Sequence, residues 1–294
     1  MKWVDYESPE SVEGVIELLT DSSGHCKIMA GGTDALVQLR VGRSDADVIV
    51  DIKKIPELME IKFDSSTGLT LGAAVPCHQI YENTAIQNVF PGLVDSTSLI
   101  GGTQIQGRAS VGGNLCNAAP SADAIPILIA YEVTCLIAGP EGRRSVAVED
   151  FCTGPGKNIL GENEILVSLH FPLPEKNSGA CYLRFIPRNE MDIAVAGVGV
   201  KVVVENDTFK SARVALASVA PTPLFVREAG EILTGQSVND ANINEAARIA
   251  KSAAKPITDM RGTAEYRKHL CEVLTRRSLQ SAVARARGGQ SQDA

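Results

Sequence analysis

The 294-residue chain has no CxxC pair among its seven cysteines, no excess of basic residues, and no apolar run approaching the ~18 residues of a membrane span. Each absence excludes something. Cysteines scattered at 26, 77, 116, 135, 152, 181 and 271 do not suit a disulfide framework, a structural zinc site or an iron–sulfur cluster held by this chain alone, and they read as small buried hydrophobes. Lys plus Arg number 28 against 35 Asp plus Glu, a formal charge of -7, which argues against a nucleic-acid surface built on clustered cations. The start MKWVDYESPE is not a charged segment followed by an apolar one, so neither export nor membrane insertion is expected and the chain is placed in the cytoplasm. His25, His78, His170 and His269 have no ligand spacing, so no metal site is expected.

What is present is a soluble composition, 44% apolar, with a length that suits two domains. Ser8-Pro9 reads as the start of a helix carrying Val12, Val15, Ile16 and Leu19 on one face. KIMA (27–30) reads as a strand, Gly31-Gly32 as a turn, Asp34 to Arg40 as a helix start and DVIVDI (47–52) as a strand, an alternation typical of chains that mix the two elements. LTLGAAV (69–75), EVTCLIA (132–138) and EILVSLHF (164–171) read as further strands, with GRR (142–144) as a solvated turn. The Pro172 to Gly179 stretch has linker composition. Beyond it, YLRFIPR, IAVAGVGVKVVV and SARVALASVA predict an antiparallel sheet with a hairpin at 205–207, and Pro223 to Leu233, Ala241 to Ala254 and Thr263 to about Ala286 predict three helices. The expected fold is therefore α+β, with domains at 1–175 (subdomains about 1–57 and 58–175) and 176–287 and a tail at 288–294.

Two glycine-rich turns stand out. In KIMAGGTD (27–34) consecutive glycine amides could converge on a phosphate, with Thr33 adding a hydroxyl. It is neither the GxGxxG fingerprint nor a Walker A loop, because the third glycine and the GK[ST] ending are missing. The second, GGTQIQGRASVGGNLCNAAPSAD (101–123), supplies Gly101, Gly102, Gly107, Gly112 and Gly113 for close backbone approach, and Thr103, Ser110, Asn114 and Asn117 as neutral donors, a lining suited to a diphosphate held by amides. Asp123 reads in two ways, as an acceptor for a sugar hydroxyl or as an acid favoured at a helix N-terminus, and both stand.

AGGTDALVQLR (30–40) followed by IGGTQIQGRASVGGNLCNAAPSAD (100–123) resembles the FAD-binding medium subunits of the molybdenum hydroxylases, the xanthine dehydrogenase and carbon monoxide dehydrogenase group, over essentially the whole chain. The resemblance implies a two-part PCMH-type FAD-binding domain and a smaller α+β domain with an antiparallel sheet and three helices. It implies FAD contacts from Lys27, Ile28, Met29, Ala30, Gly31, Gly32, Thr33 and Asp34 in the first turn. From the second it implies Ile100, Gly101, Thr103, Ala109, Ser110, Val111, Gly112, Gly113 and Asn114, then Asp123, and Leu166 in EILVSLHF. Arg184 falls where the family commonly has a lysine reaching the cofactor; its competing role is an ion pair at the domain interface. Catalytic residues are expected to be none, since the chain would collect electrons on FAD from two [2Fe-2S] clusters of a small subunit, after hydroxylation at molybdopterin in a large subunit. The resemblance further implies NAD+/NADH exchange and a dimer of heterotrimers. The segments VEDFCTGPGKNIL, VAPTP and EYRKHL resemble the bacterial xanthine dehydrogenase branch, which implies purine hydroxylation; nicotinate, other N-heterocycles, aldehydes and CO are the alternatives, and a free-standing FAD oxidase is a third reading. The cysteine-rich insertion of the 4-hydroxybenzoyl-CoA reductase branch is missing.

Overall fold

A computed structural model describes residues 3–21 and 25–288. The expected tail at 288–294 lies, apart from Gly288, outside the described residues.

The N-terminal lobe is a three-stranded parallel sheet of β1 (Asp5–Glu7), β2 (Cys26–Met29) and β3 (Val48–Asp51), in the order β1-β3-β2. Parallel neighbours need crossovers, supplied by α1 (Val12–Asp21) and α2 (Ala35–Arg40). The cap of α1 is Ser11, whose Oγ accepts from the Gly14 amide at 3.1 Å, three residues later than the Ser8-Pro9 start read from sequence. Its Val12, Val15 and Leu19 face Val50, Ile52 and Leu58 in a small core.

The second lobe holds β4 (Ile61–Asp64), β5 (Gly68–Gly72), then helices α3 (Cys77–Tyr81), α4 (Thr84–Val89), α5 (Pro91–Thr97), α6 (Thr103–Gln106), α7 (Val111–Asn117) and α8 (Ala124–Ala130). Strands β6 (Thr134–Gly139), β7 (Gly142–Ala147), the short pair β8 (Cys152–Gly154) and β9 (Lys157–Asn158), and β10 (Ile165–Pro172) complete it. The main sheet is antiparallel, ordered β4-β5-β10-β6-β7. Ile165 and Val167 of β10 and Ala138 of β6 turn toward the N-terminal lobe, whereas Leu169 and Phe171, with Cys135 and Ile137, turn toward the helices. Burial on both faces is why EILVSLHF reads as an almost continuous apolar run. The GRR segment is not a turn: Arg143 and Arg144 begin the exposed edge strand β7 and point to opposite faces, to Glu57 and Glu164 respectively.

The C-terminal domain is an antiparallel sheet ordered β11-β12-β13-β14, from β11 (Ser178–Phe185), β12 (Ala196–Glu205), β13 (Thr208–Ala217) and β14 (Leu224–Phe225), followed by α9 (Arg227–Glu231), α10 (Asp240–Ala253) and α11 (Ala264–Ala286). The hairpin expected at 205–207 forms, with Asn206 and Asp207 both at positive φ. The first of the three expected helices is shorter, because Leu224 and Phe225 pair with β13 before α9 begins. Val198, Val200 and Val202 face α10 and α11, while Gly199, on the opposite side of β12, meets α8 so closely that a Cβ would lie 2.6 Å from the Ile127 nitrogen. Helix α8, AIPILIA, is buried along its whole length between the two domains. Among the described residues no helix is long and apolar enough to cross a membrane.

Candidate functional site

A cleft of about 800 Å³ runs between the N-terminal lobe and the second lobe, within the range of sites that enclose a whole cofactor. Both glycine-rich turns border it. From the first come Lys27, Ile28, Ala30, Gly31, Gly32, Thr33 and Asp34; from the second, Ala109, Ser110, Gly112, Gly113 and Asn114; Ile100 and Leu166 contribute apolar surface.

The first turn leaves β2 and enters α2. Among the described residues, the amides of Gly31, Gly32, Thr33 and Asp34 donate no hydrogen bond to the protein; the first turn of α2 closes only with Leu36 donating to the Gly32 carbonyl at 3.1 Å. Four consecutive amides without acceptors, on a turn that lines a cleft, form an anion cradle. In the second turn two polar side chains hold the local backbone through their oxygens. Ser110 Oγ caps α7 by accepting from the Gly113 amide at 3.0 Å, and Asn114 Oδ1 accepts from the Ala124 amide at 3.2 Å. Both contacts use the side-chain oxygens as acceptors, so the Ser110 hydroxyl and the Asn114 Nδ2 remain as donors beside the backbone amides.

The glycines do not all serve the same purpose. A Cβ at Gly31 would overlap the Arg108 carbonyl, and a Cβ at Gly112 would overlap the Ala73 carbonyl, so these two let protein backbones meet. A Cβ at Gly113 would meet only Ser110 Oγ, at 3.0 Å.

The remaining expected contacts lie off the cleft lining. Met29 is buried among Leu39, Ala46 and Ile49, and Val111 is buried in the core of the second lobe. Gly101 turns the chain at φ 64 ahead of α6, and Thr103 is exposed at the start of that helix. Asp123 and Arg184 are drawn to each other: Arg184 Nη1 donates to Asp123 Oδ2 at 2.6 Å and Tyr182 OH donates to Oδ1 at 2.7 Å. Strand alternation places Tyr182 and Arg184 on the same face of β11, toward the second lobe. Burial pushes the Asp123 carboxyl up to about 6 even though Arg184 and Tyr182 pull it down, and burial raises the Tyr182 phenol too. Arg184 Nε is buried without a partner among the described residues.

Sequence reasoning found Leu166 but passed over the rest of a third wall, Pro155 to Ile165, where Asn158 Nδ2 donates to the Cys116 carbonyl at 2.8 Å. The signal was the turn-rich GPGKN at 154–158. It also missed a bridge across the cleft: Gln38 Nε2 donates to Asn117 Oδ1 at 2.9 Å, and Asn117 Nδ2 to Asp34 Oδ2 at 3.2 Å. No spacing rule pairs residues so far apart in sequence.

Cys116 borders the cleft, yet burial pushes its thiol up to about 12, with Cys152 nearby adding to the effect. A thiol so rarely ionised is a poor nucleophile. Alkylation of the folded chain with iodoacetamide at pH 8, read by peptide mass spectrometry, is expected to leave Cys116 unmodified and to label it fully after denaturation. Among the described residues, no three His, Cys, Asp or Glu side chains are grouped to hold a metal ion.

The cleft suits FAD on these observations: unpaired amides for a diphosphate, apolar surface at Ile100 and Leu166, and sufficient volume. Comparison with known proteins agrees. Residues 2–174 match the family described as FAD binding domain in molybdopterin dehydrogenase, and residues 181–282 match the CO dehydrogenase flavoprotein C-terminal domain. The chain is 32% identical to a xanthine dehydrogenase FAD-binding subunit of Escherichia coli O157:H7, over 97% of this chain and 98% of that one. It is 30% identical to a carbon monoxide dehydrogenase medium chain of Hydrogenophaga pseudoflava, over 96% and 97%. A solved carbon monoxide dehydrogenase from the same organism, lacking the Mo-pyranopterin moiety, superposes with a TM-score of 0.93 at 30% identity, covering 97% of this chain and 98% of that one.

Proposed function

The chain belongs to the FAD-binding subunits of the molybdenum hydroxylases, and from that premise we propose that it relays electrons from the [2Fe-2S] clusters of a small partner subunit, through FAD in the cleft, to NAD+. The observation that carries this reading is the row of acceptor-free amides at Gly31 to Asp34, on a turn that borders the same cleft as the second glycine turn. Bound FAD supplies the redox chemistry, accepting electrons singly and releasing a pair as hydride. The chain's own work is binding and orientation. The amides of the first turn hold the diphosphate, Ile100 and Leu166 offer apolar surface to the ring system, and the 155–165 segment closes the third side.

No catalytic acid or base is assigned to this chain. The Asp123–Arg184 pair, with its spare Nε donor, ties the C-terminal domain to the cleft's surroundings. Substrate choice belongs to the molybdopterin subunit: relatives named for xanthine and for carbon monoxide match this chain at 32% and 30%, so it represents machinery common to both. Purine, other N-heterocycle, aldehyde and CO oxidation are all served by the same relay, and the partner arrangement this implies is a dimer of heterotrimers.

Anaerobic titration tests the relay. NADH is expected to bleach the flavin of the isolated chain, and the substrate of the large subunit to bleach it only in the assembled complex. Xanthine active in the complex would assign the purine reading; a response to NADH with none to xanthine would direct the search to aldehydes, CO and other heterocycles. A chain purified without flavin and unable to take it up would overturn the cofactor reading.

A further inference from the structure

Two cations sit behind the first glycine turn, and neither lines the cleft. Lys53, just beyond β3, points its ammonium at the Ala30 carbonyl, 2.8 Å away. Arg108, which precedes the second glycine turn, donates from Nε to the Gly31 carbonyl at 2.8 Å. Consecutive carbonyls of the turn are thus held by charged donors, one from each lobe.

The consequence follows from peptide geometry. In a trans peptide the carbonyl and the next residue's N–H point in opposite directions. Fixing the Ala30 carbonyl on Lys53 turns the Gly31 amide away from Lys53, and fixing the Gly31 carbonyl on Arg108 turns the Gly32 amide away from Arg108. Ala30, Gly31 and Gly32 border the cleft while the two cations do not, and neither glycine amide has an acceptor among the described residues, so both are free for a ligand there. A glycine pair needs such fixing more than other residues do, because it can populate either sign of φ, and Gly32 stands at φ 77.

Lys53 is itself fixed. Its ammonium lies 2.6 Å from Asp51 Oδ1, its own amide donates to the same oxygen at 3.0 Å, and Tyr6 OH donates to Oδ2 at 2.7 Å. Asp51 is buried, with these groups as its counterparts.

We propose that Lys53 and Arg108 are positioning residues for the cofactor: they clamp the carbonyls of Ala30 and Gly31 so that the Gly31 and Gly32 amides are preset to receive the FAD diphosphate. This rests on the reading of the cleft as a flavin site. The clamps touch no ligand; they remove the conformational freedom that the turn would otherwise lose on binding.

The test titrates FAD into full-length apoprotein, following flavin fluorescence, and records the thermal midpoint of each apoprotein alongside. Losing one charged clamp is expected to weaken FAD binding by about 10- to 100-fold in Lys53→Met and in Arg108→Met. Lys53→Arg, which can still donate to the Ala30 carbonyl, should stay within a few-fold of the wild type. The double variant Asp51→Asn/Lys53→Met leaves no unpaired buried charge, so it should keep the wild-type apoprotein midpoint and still bind FAD weakly. Wild-type affinity in that double variant and in Arg108→Met would overturn the proposal, as would a loss of affinity matched by an equal loss in Lys53→Arg. A wild-type chain that takes up no FAD would instead overturn the flavin reading on which the proposal rests.

Discussion

Gly31→Ala is expected to give a chain that retains no FAD and unfolds at markedly lower denaturant than the wild type. The added methyl would overlap the carbonyl of Arg108, a backbone atom that cannot rotate aside. Overpacking against backbone costs about 3 kcal/mol or more, and here the displaced segment is the second glycine turn itself. The two sides of the cleft are therefore forced apart where they must converge. Flavin-to-protein ratio by absorbance and the urea midpoint check both halves of the expectation. Gly113→Val is the informative contrast. From sequence, substituting Gly112 and Gly113 with valine is expected to abolish FAD binding by blocking backbone approach. The structure separates the two: at Gly112 the obstacle is the Ala73 carbonyl, so that variant fails in packing, whereas Gly113 has only a serine hydroxyl to displace. Gly113→Val should fold and still lose flavin; a folded variant with full flavin content would remove Gly113 from the site.

Arg184→Met is expected to destabilise the chain by about 3–5 kcal/mol at pH 8, because it leaves the Asp123 carboxyl buried without its counter-ion. Asp123→Asn/Arg184→Met should recover much of that loss, since no charge is then stranded. The cost should also depend on pH. Asp123 has a folded pKa of about 6, above its ordinary 3.8, so the folded wild type holds a proton across that window which the unfolded chain has released. Its contribution to stability is therefore fully present below about 4 and is lost as pH rises through about 6. Without Arg184 the carboxyl moves further up, so the penalty of the single variant grows from pH 5 to pH 8. Urea unfolding at both values, with a flat difference between variant and wild type as the contrary result, decides this.

Local chemistry explains which parts of the fold were legible. The hairpin at 205–207 announced itself because Asn-Asp between two alternating strands has few other uses. Helices α10 and α11 were legible from their length and apolar spacing, and the structure adds their caps, with Asn239 and Thr263 both accepting from amides of the first turn. The edge strand β7 was not legible, since two arginines exposed on both faces carry no alternation. Nor was the short strand β14, which exists because β13 offers a free edge. In the site, glycine content pointed to both turns, but it could not say what each glycine approaches; that depends on Arg108 and Ala73, which are remote in sequence. Lys53 was invisible for the same reason. A lysine after a strand reads as a solvated charge until the Ala30 carbonyl is found beside it. The Asp123–Arg184 contact is an ion pair at the domain interface, the competing role read for Arg184, but its partner was not legible: only the packing of β11 against the second lobe brings Asp123 within reach.

Helix α8 belongs equally to both domains. Its apolar residues belong to the core of the second lobe, while its other side lies on Gly199 of β12. The segment after Pro172 thus joins two sheets that share a wall. Asp123 stands at the start of that wall and Arg184 reaches it from across the boundary, so the ion pair fastens the C-terminal domain to the second lobe. For a flavin subunit, the spacing between cleft and C-terminal domain is thereby built into the packing of one helix.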